Sequence, residues 1–259
     1  MIKSFKFADM LREETVFGPI KSRRLGSSLG INLLPTKGKI CNFDCIYCEC
    51  GWNADGRDDT TLPSAARVRS ALEDKLCALM LEGTPVDSIT FSGDGEPTLN
   101  PEFPRIIDDT LRLRDTFYPS AKVSVLSNAT RAHVPEVFEA LRKVDNPIMK
   151  IDAPTDVLAA LINRPAPGYS VKRVVDALQK FDGDFILQTM FLRSNGFDSG
   201  APEVLVPWMD IVRTLRPRMV QVYTIDRPAP MPGLEKYTTD EMKALVRPLL
   251  DEGFNIQFR

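Results

Sequence analysis

The chain has 259 residues, 43% of them hydrophobic and 26% charged, with a net charge of −2, enough for a substantial core in one large or two small domains. Near-neutral charge removes the strongly basic signature of a protein whose main partner is nucleic acid, and no apolar run approaches the roughly 18 residues that a membrane span needs. The opening Met-Ile-Lys-Ser-Phe-Lys lacks the apolar core of a secretion signal, and five cysteines, an odd number, fit a reducing, cytoplasmic compartment better than a disulfide framework.

Taken in chain order, the first segment is Val16-Phe-Gly18-Pro19-Ile-Lys-Ser22-Arg23-Arg24-Leu-Gly26-Ser27-Ser28-Leu-Gly30-Ile31. Its glycines, serines and arginines read as a hairpin or ordered loop leading into a strand. Residues 1–40 hold eight basic against three acidic residues. That bias is either a solvated surface or a site for an anionic substrate. Arginine's fork suits phosphate or carboxylate, so Arg23 and Arg24 are candidate substrate contacts. From about residue 30 short apolar strands alternate with helical segments, the pattern of a parallel sheet built from β-α units. Strands are expected at Gly30–Leu34, Ser88–Ser92, Lys122–Ser127, Ile148–Asp152, Asp184–Phe191, Met219–Ile225 and Asn255–Phe258. Helices are expected near 63–82, 101–117, 134–144, 155–162, 170–181, 202–215 and 239–252. Pro63 and Pro135 suit first helical turns, and Thr155, Ser170 and Thr239 or Asp240 suit N-caps. Six or seven such repeats exceed a small open sheet without completing an eight-stranded barrel. The fold class expected is therefore α/β, an open partial TIM-like (β/α)6 barrel at 30–259, with an N-terminal extension at 1–29 and a short last strand, all in one domain at 1–259.

The chemistry is concentrated in Cys41-Asn-Phe-Asp-Cys45-Ile-Tyr-Cys48. Three thiolates at this spacing can hold three irons of a [4Fe-4S] cluster and leave the fourth without a protein ligand, whereas electron-transfer clusters fill all four positions. The competing readings are a structural zinc site that adds Cys50 to the three, on a non-catalytic scaffold, and a chance grouping of three buried thiols. Zinc sites usually join two separated cysteine pairs, and no second pair follows here. Cys50 is a bystander or a redox-active neighbour. Cys77 falls on the apolar stripe of a helix and reads as a packed core thiol. With only those two left over, cysteine alone cannot bind a second cluster.

Further candidates lie at strand ends, where parallel β-α folds gather ligands. Phe91-Ser-Gly93-Asp94-Gly95-Glu96-Pro97 follows one strand, and its glycines allow close backbone approach. Ser127-Asn128-Ala-Thr130 ends the next; its polar side chains could meet a ribose or carboxylate, or form an ordinary turn. Lys150 and Asp152, two apart on a strand, share a face and form either a cofactor-orienting charge pair or a structural ion pair. The same spacing puts Gln188 with Met190, and Gln221 with Tyr223, on a cavity wall or in packed core. The loop Arg227-Pro-Ala-Pro-Met-Pro-Gly233 is a candidate lid. His133, the sole histidine, reads as a surface or capping residue and a minor acid-base candidate.

The C-x3-C-x2-C spacing, with Tyr47 before the last cysteine, resembles the signature of the radical S-adenosylmethionine (SAM) superfamily, and the lead-in resembles the GPxxSRRLGxSLGI segment of one of its branches. The resemblance implies a [4Fe-4S] cluster on Cys41, Cys45 and Cys48, whose open iron chelates SAM. It also implies reductive cleavage of SAM to methionine and a 5'-deoxyadenosyl radical, and hydrogen abstraction from a substrate. Gly93, Asp94, Gly95 and Glu96 look like the family's Gly-Gly-Glu motif for the amino group of SAM, here in the form GDGEP. Ser127 and Asn128 stand where the family places polar SAM contacts. Related activating enzymes carry Asp-Leu-Lys where this chain has Lys150-Ile-Asp152, in reversed order. An external electron donor such as flavodoxin or ferredoxin is implied as a partner. Protein activation or small-molecule modification is favoured over tRNA by the charge.

Overall fold

The computed structural model describes residues 14–22, 25–36, 38–55 and 59–259. Backbone contacts divide these described residues into two compact units: those within 14–41, 53–127 and 134–147 in the first, and those within 42–52, 128–133 and 148–259 in the second.

In the first unit β1 (Val16–Ser22) and β2 (Gly26–Ile31) form an antiparallel hairpin, Val16 opposite Ile31. β2 continues in parallel to β3 (Ser88–Phe91), Ser28 opposite Ser88, and β3 to β4 (Lys122–Ser127). Residues 26–29, expected in the extension, therefore already belong to the sheet. The strand expected at Gly30–Leu34 ends at Ile31 because the Asn32 side chain takes over: its Oδ1 accepts from the Leu34 N–H at 3.1 Å, an Asx turn that bends the chain. α1 (Ala65–Leu81) starts two residues after Pro63, which was expected to open it, with Ser64 as N-cap accepting from the Arg67 N–H. α2 (Phe103–Phe117) packs on α1 and on α3 (Pro135–Lys143), which has Pro135 in its first turn as expected. The core is built from Leu29, Ile31, Ile89, Phe91, Val123 and Val125 of the strands against Leu72, Leu76 and Phe103 of the helices, all buried. Phe91 meets Phe103 edge-on at 6.3 Å, a favoured aromatic geometry. Cys77 departs from expectation: it is half-buried on α1 beside the stripe of Leu72, Leu76 and Leu79 rather than within it.

The second unit carries the C-terminal end of β5 (Asn146–Lys150), from Ile148 on, and the parallel strands β6 (Ile186–Met190), β9 (Met219–Tyr223) and β11 (Ile256–Phe258). β5 pairs with β6, β6 with β9 and β9 with β11. A small antiparallel sheet, β10 (Glu235–Lys236), β7 (Leu192–Ser194) and β8 (Phe197–Asp198), accompanies them. α4 (Asp156–Ile162) and α5 (Val171–Gln179) are capped by Thr155 and Ser170, as the sequence indicates. α6 (Pro202–Leu215) covers one sheet face, where the buried Trp208 donates its indole N–H to Thr189 at 3.1 Å and meets the Phe191 ring edge-on at 5.3 Å. The helix expected at 239–252 is two helices, α7 (Thr239–Leu245) and α8 (Arg247–Asp251), because Pro248 cannot continue the first and instead opens the second. The N-cap of α7 is Thr238, one residue before the expected cap, and with Glu241 it completes a capping box.

Candidate active site

The loop that carries Cys45 and Cys48 is strapped to the C-terminus of α4. The last carbonyls of a helix lack internal partners. Here two of them are taken by the loop: the Asp44 N–H donates to the Asn163 carbonyl at 2.9 Å and the Ile46 N–H to the Ile162 carbonyl at 3.0 Å. Pro165 prevents the helix from absorbing those carbonyls itself, and Ala166 donates back to the Asn42 carbonyl at 2.8 Å. Ile46 and Tyr47 then anchor the loop apolarly among Ile162, Met190, Leu192 and Val204. The Pro-rich loop, expected as a lid, lies on this segment: Met231 donates its N–H to the Ile46 carbonyl and Arg227 pairs with Glu49 at 2.8 Å.

Behind the cysteines lies a buried polar cluster. Asp152 accepts from the Tyr47 hydroxyl, from Asn163 Nδ2 at 2.7 Å and from the Met190 N–H at 2.8 Å, and Lys150 Nζ is 3.8 Å from it. Lys150 donates to the Tyr223 hydroxyl and lies over the rings of Tyr47 and Tyr223 at 4.9 and 4.7 Å. Burial alone would pull the Lys150 ammonium towards neutrality; Asp152 and then Tyr223 more than reverse this and raise its pKa. Burial first, then the charge of Asp152, holds the Tyr47 phenol well above its ordinary value, hence protonated. Cys45 is pushed up to about 12, chiefly by burial and then by Cys48. The shared face read for Lys150 and Asp152 is therefore real, and it extends along the register to Gln188, Gln221 and Gln257, where Gln188 donates to Gln221 at 3.1 Å and Gln221 to Gln257 at 3.2 Å.

In the first unit the GDGEP segment is a rigid turn. Its Asp94 is wholly buried: Asn32 Nδ2 donates to its carboxylate at 3.1 Å, and the Asp94 N–H donates to Asn32 Oδ1 at 3.1 Å. A Cβ on Gly93 would lie 2.0 Å from Asn32 Oδ1, so glycine is required there. Ile40, next to Cys41, is bridged to Gly95 through its N–H to the Asp94 carbonyl and its carbonyl to the Glu96 N–H. Glu96 is buried, and its Oε1 accepts from the Thr98 N–H, the Thr98 hydroxyl and the Ser127 hydroxyl at 3.1, 2.6 and 2.8 Å. Glu96 and Ser127, read as separate candidates, are thus brought together. Asn128 belongs to a separate arrangement: it donates to Asn42 Oδ1 at 2.7 Å, while Asn42 Nδ2 donates to Thr130.

Residues 36–192 match the family described as the Radical SAM superfamily. The chain belongs to the radical SAM superfamily. Over 233 residues it is 28% identical to the UPF0026 protein of Helicobacter pylori (strain J99 / ATCC 700824), covering 88% of this chain and 71% of that protein. In fold it is similar to a radical SAM methyltransferase from Sphaerobacter thermophilus (TM-score 0.67, 15% identity, 90% of this chain and 65% of that one) and to Streptococcus suis SuiB bound to S-adenosylmethionine (TM-score 0.63, 15% identity, 89% and 50%). It spans half to two thirds of the length of those two structures. The expected α/β class and open partial barrel are those of this radical SAM fold, and the protein is an enzyme of the superfamily whose cofactors are a [4Fe-4S] cluster and SAM.

The residues of this radical SAM chain suit a cluster by donor chemistry. Cys41, Cys45 and Cys48 are partly exposed and outside any disulfide, and thiolate is the usual cluster ligand. Among the described residues no group of three or more His, Cys, Asp and Glu side chains is arranged to hold a metal ion. No helix among them is long and apolar enough to cross a membrane. Arg23 and Arg24 lie outside the described residues, and His133 is exposed just before α3. Sequence reasoning missed Asn32, Asn42, Thr98 and Asn163. Asn163 had one usable signal: an Asn-Arg-Pro run closing a helix, which marks a C-cap.

Proposed function

We propose that residues 1–259 act as one radical SAM domain in which Cys41, Cys45 and Cys48 ligate three irons of the cluster. With the open iron left to SAM, the cluster would supply the one-electron reduction that cleaves SAM to methionine and a 5'-deoxyadenosyl radical, which would abstract hydrogen from the substrate. The observation that carries this is the three-cysteine spacing inside the family match, with its central thiol strapped to α4. The rigid turn of Gly93, Asp94, Gly95 and Glu96 presents backbone and carboxylate to SAM's amino group, with Asp94 holding the turn and Ser127 orienting Glu96. Asn128 meets SAM's ribose or carboxylate. Lys150 and Asp152 fix Tyr47 and present a positive charge to SAM. Gln188 and Tyr223 face the substrate, as do Arg23 and Arg24 where that substrate is anionic.

The substrate class favoured is a protein or a small molecule rather than tRNA. SuiB, a neighbour in fold, has been solved bound to its precursor peptide SuiA, and the net charge of −2 is unlike that of RNA-binding proteins. A cytoplasmic flavodoxin or ferredoxin would supply the electron. Anaerobic reconstitution tests the proposal: about four irons and four sulfides per chain, followed by reductant-dependent release of 5'-deoxyadenosine from SAM, is the expected result. One zinc per chain without SAM turnover would establish the scaffold reading instead.

A further inference from the structure

Asn163 occupies a position that no capping role requires. Its backbone already does the capping: its N–H donates to the Ala159 carbonyl and its own carbonyl receives the Asp44 N–H. Its side chain, 2% exposed with the rest of the residue, turns instead towards the cysteine loop. There Nδ2 lies 2.7 Å from Asp152 Oδ2, 3.2 Å from the Tyr47 hydroxyl and 3.4 Å from Cys45 Sγ. A carboxamide nitrogen has two hydrogens. The charged Asp152 is the strongest acceptor and takes one. The Tyr47 hydroxyl spends its own hydrogen on Asp152, so it and the sulfur both present lone pairs to the other. A thiol is a weak acceptor; a metal-bound thiolate is a charged one, and hydrogen bonds to charged groups are the stronger kind. Ligation at Cys45 therefore shifts the second hydrogen towards sulfur without any movement of Asn163, which is anchored on both sides by α4 and Asp152.

Resting on the cluster assignment above, we infer that Asn163 is a positioning residue that donates an N–H···S hydrogen bond to the Cys45 ligand and thereby raises the reduction potential of the cluster. Adding an electron increases the negative charge on the sulfurs, so a donor aimed at one of them stabilises the reduced state more than the oxidised one. Hydrogen bonds to the sulfurs are among the protein's established means of setting such potentials.

The test is the potential of reconstituted wild type, Asn163→Leu and Asn163→Ala, measured by redox titration with the reduced-cluster electron paramagnetic resonance signal as readout. Leucine keeps the volume and removes the donor; alanine covers the case in which leucine fails to fold. Expected in both variants are wild-type iron and sulfide contents and a more negative midpoint. The loss should amount to about three- to tenfold in the reduction equilibrium, or about 30–60 mV for one electron. An unchanged midpoint with the cluster intact overturns the inference. Loss of iron from both variants while they remain folded by circular dichroism also overturns it, because the residue would then retain the ligand rather than tune it. A wild type that takes up no cluster refutes the proposed function instead, and is told apart by the metal analysis.

Discussion

Replacing Gly95 with alanine should unlock the GDGEP turn, and the structure supplies the magnitude. Gly95 has φ +137, and a Cβ there would lie 1.9 Å from the Ile40 carbonyl oxygen and 2.6 Å from a Leu34 methyl. The leucine methyl can rotate away, but the carbonyl is backbone and is fixed by the bridge it forms. Relief requires that bridge to open, losing the Ile40 N–H to Asp94 and Glu96 N–H to Ile40 hydrogen bonds of 3.2 and 3.1 Å, each about 0.5–1.5 kcal/mol net. The backbone conformation adds about 1–3 kcal/mol for a residue with a Cβ. Together these give about 2–6 kcal/mol, and a central value of about 4 corresponds to a melting point lower by about 8–16 °C for a chain of this size. The control is Gly83→Ala. Gly83 also has positive φ, +68, but nothing lies within 4 Å of its would-be Cβ, so only the left-handed backbone cost of about 1–2 kcal/mol applies. Urea unfolding of both variants at equal m measures the difference. A Gly95→Ala variant no less stable than Gly83→Ala would show that the bridge to Ile40 does not constrain the turn. Ile40 precedes Cys41, so iron content after reconstitution should fall in the Gly95 variant and not in the control.

Asp152→Ala should cost about 3–5 kcal/mol in urea unfolding, because it leaves the buried Lys150 ammonium without its carboxylate; a loss under about 1 kcal/mol would mean that the cluster is already compensated by Tyr223. Reconstituted Cys48→Ser should lose most of its iron whereas Cys50→Ser should keep it; equal loss in both would make Cys50 a fourth thiolate ligand and leave no iron open to SAM. Glu241 has its carboxyl lowered from 4.5 to about 2 by the N–H and then the hydroxyl of Thr238, and by Arg193. A depressed carboxylate stabilises the fold above its unfolded pKa and loses that contribution as pH falls through its folded value. The stability gap between wild type and Glu241→Gln should therefore narrow between about pH 5 and about pH 2, followed by denaturant midpoints across that range; a constant gap would refute the assignment.

The periodic part of the fold was legible because each strand and helix states its own pattern locally. Lys150 and Asp152, two apart, share a face, and Gln188 and Tyr223 fall on that same face by register. Boundaries were lost where a side chain or a proline intervened. Asn32 ends β2 with an Asx turn, and Pro248 starts a new helix instead of prolonging the old one. Motif spacing marked Cys41, Cys45, Cys48 and Glu96, since the chemistry of each is declared by neighbours a few positions away. It could not mark Asn163 or Asn32, whose partners Cys45 and Asp94 lie 118 and 62 positions off in sequence. An asparagine has no periodicity and no charge, so on its own it signals only a turn or a cap. Its meaning here comes from the backbone around it. Once the orphan carbonyls at the end of α4 have captured the N–H groups of Asp44 and Ile46, the thiol between those two residues is carried to the side chain of the residue that caps the helix. The element that fixes the cysteine loop in space is thus also the one that brings a hydrogen-bond donor to its central sulfur.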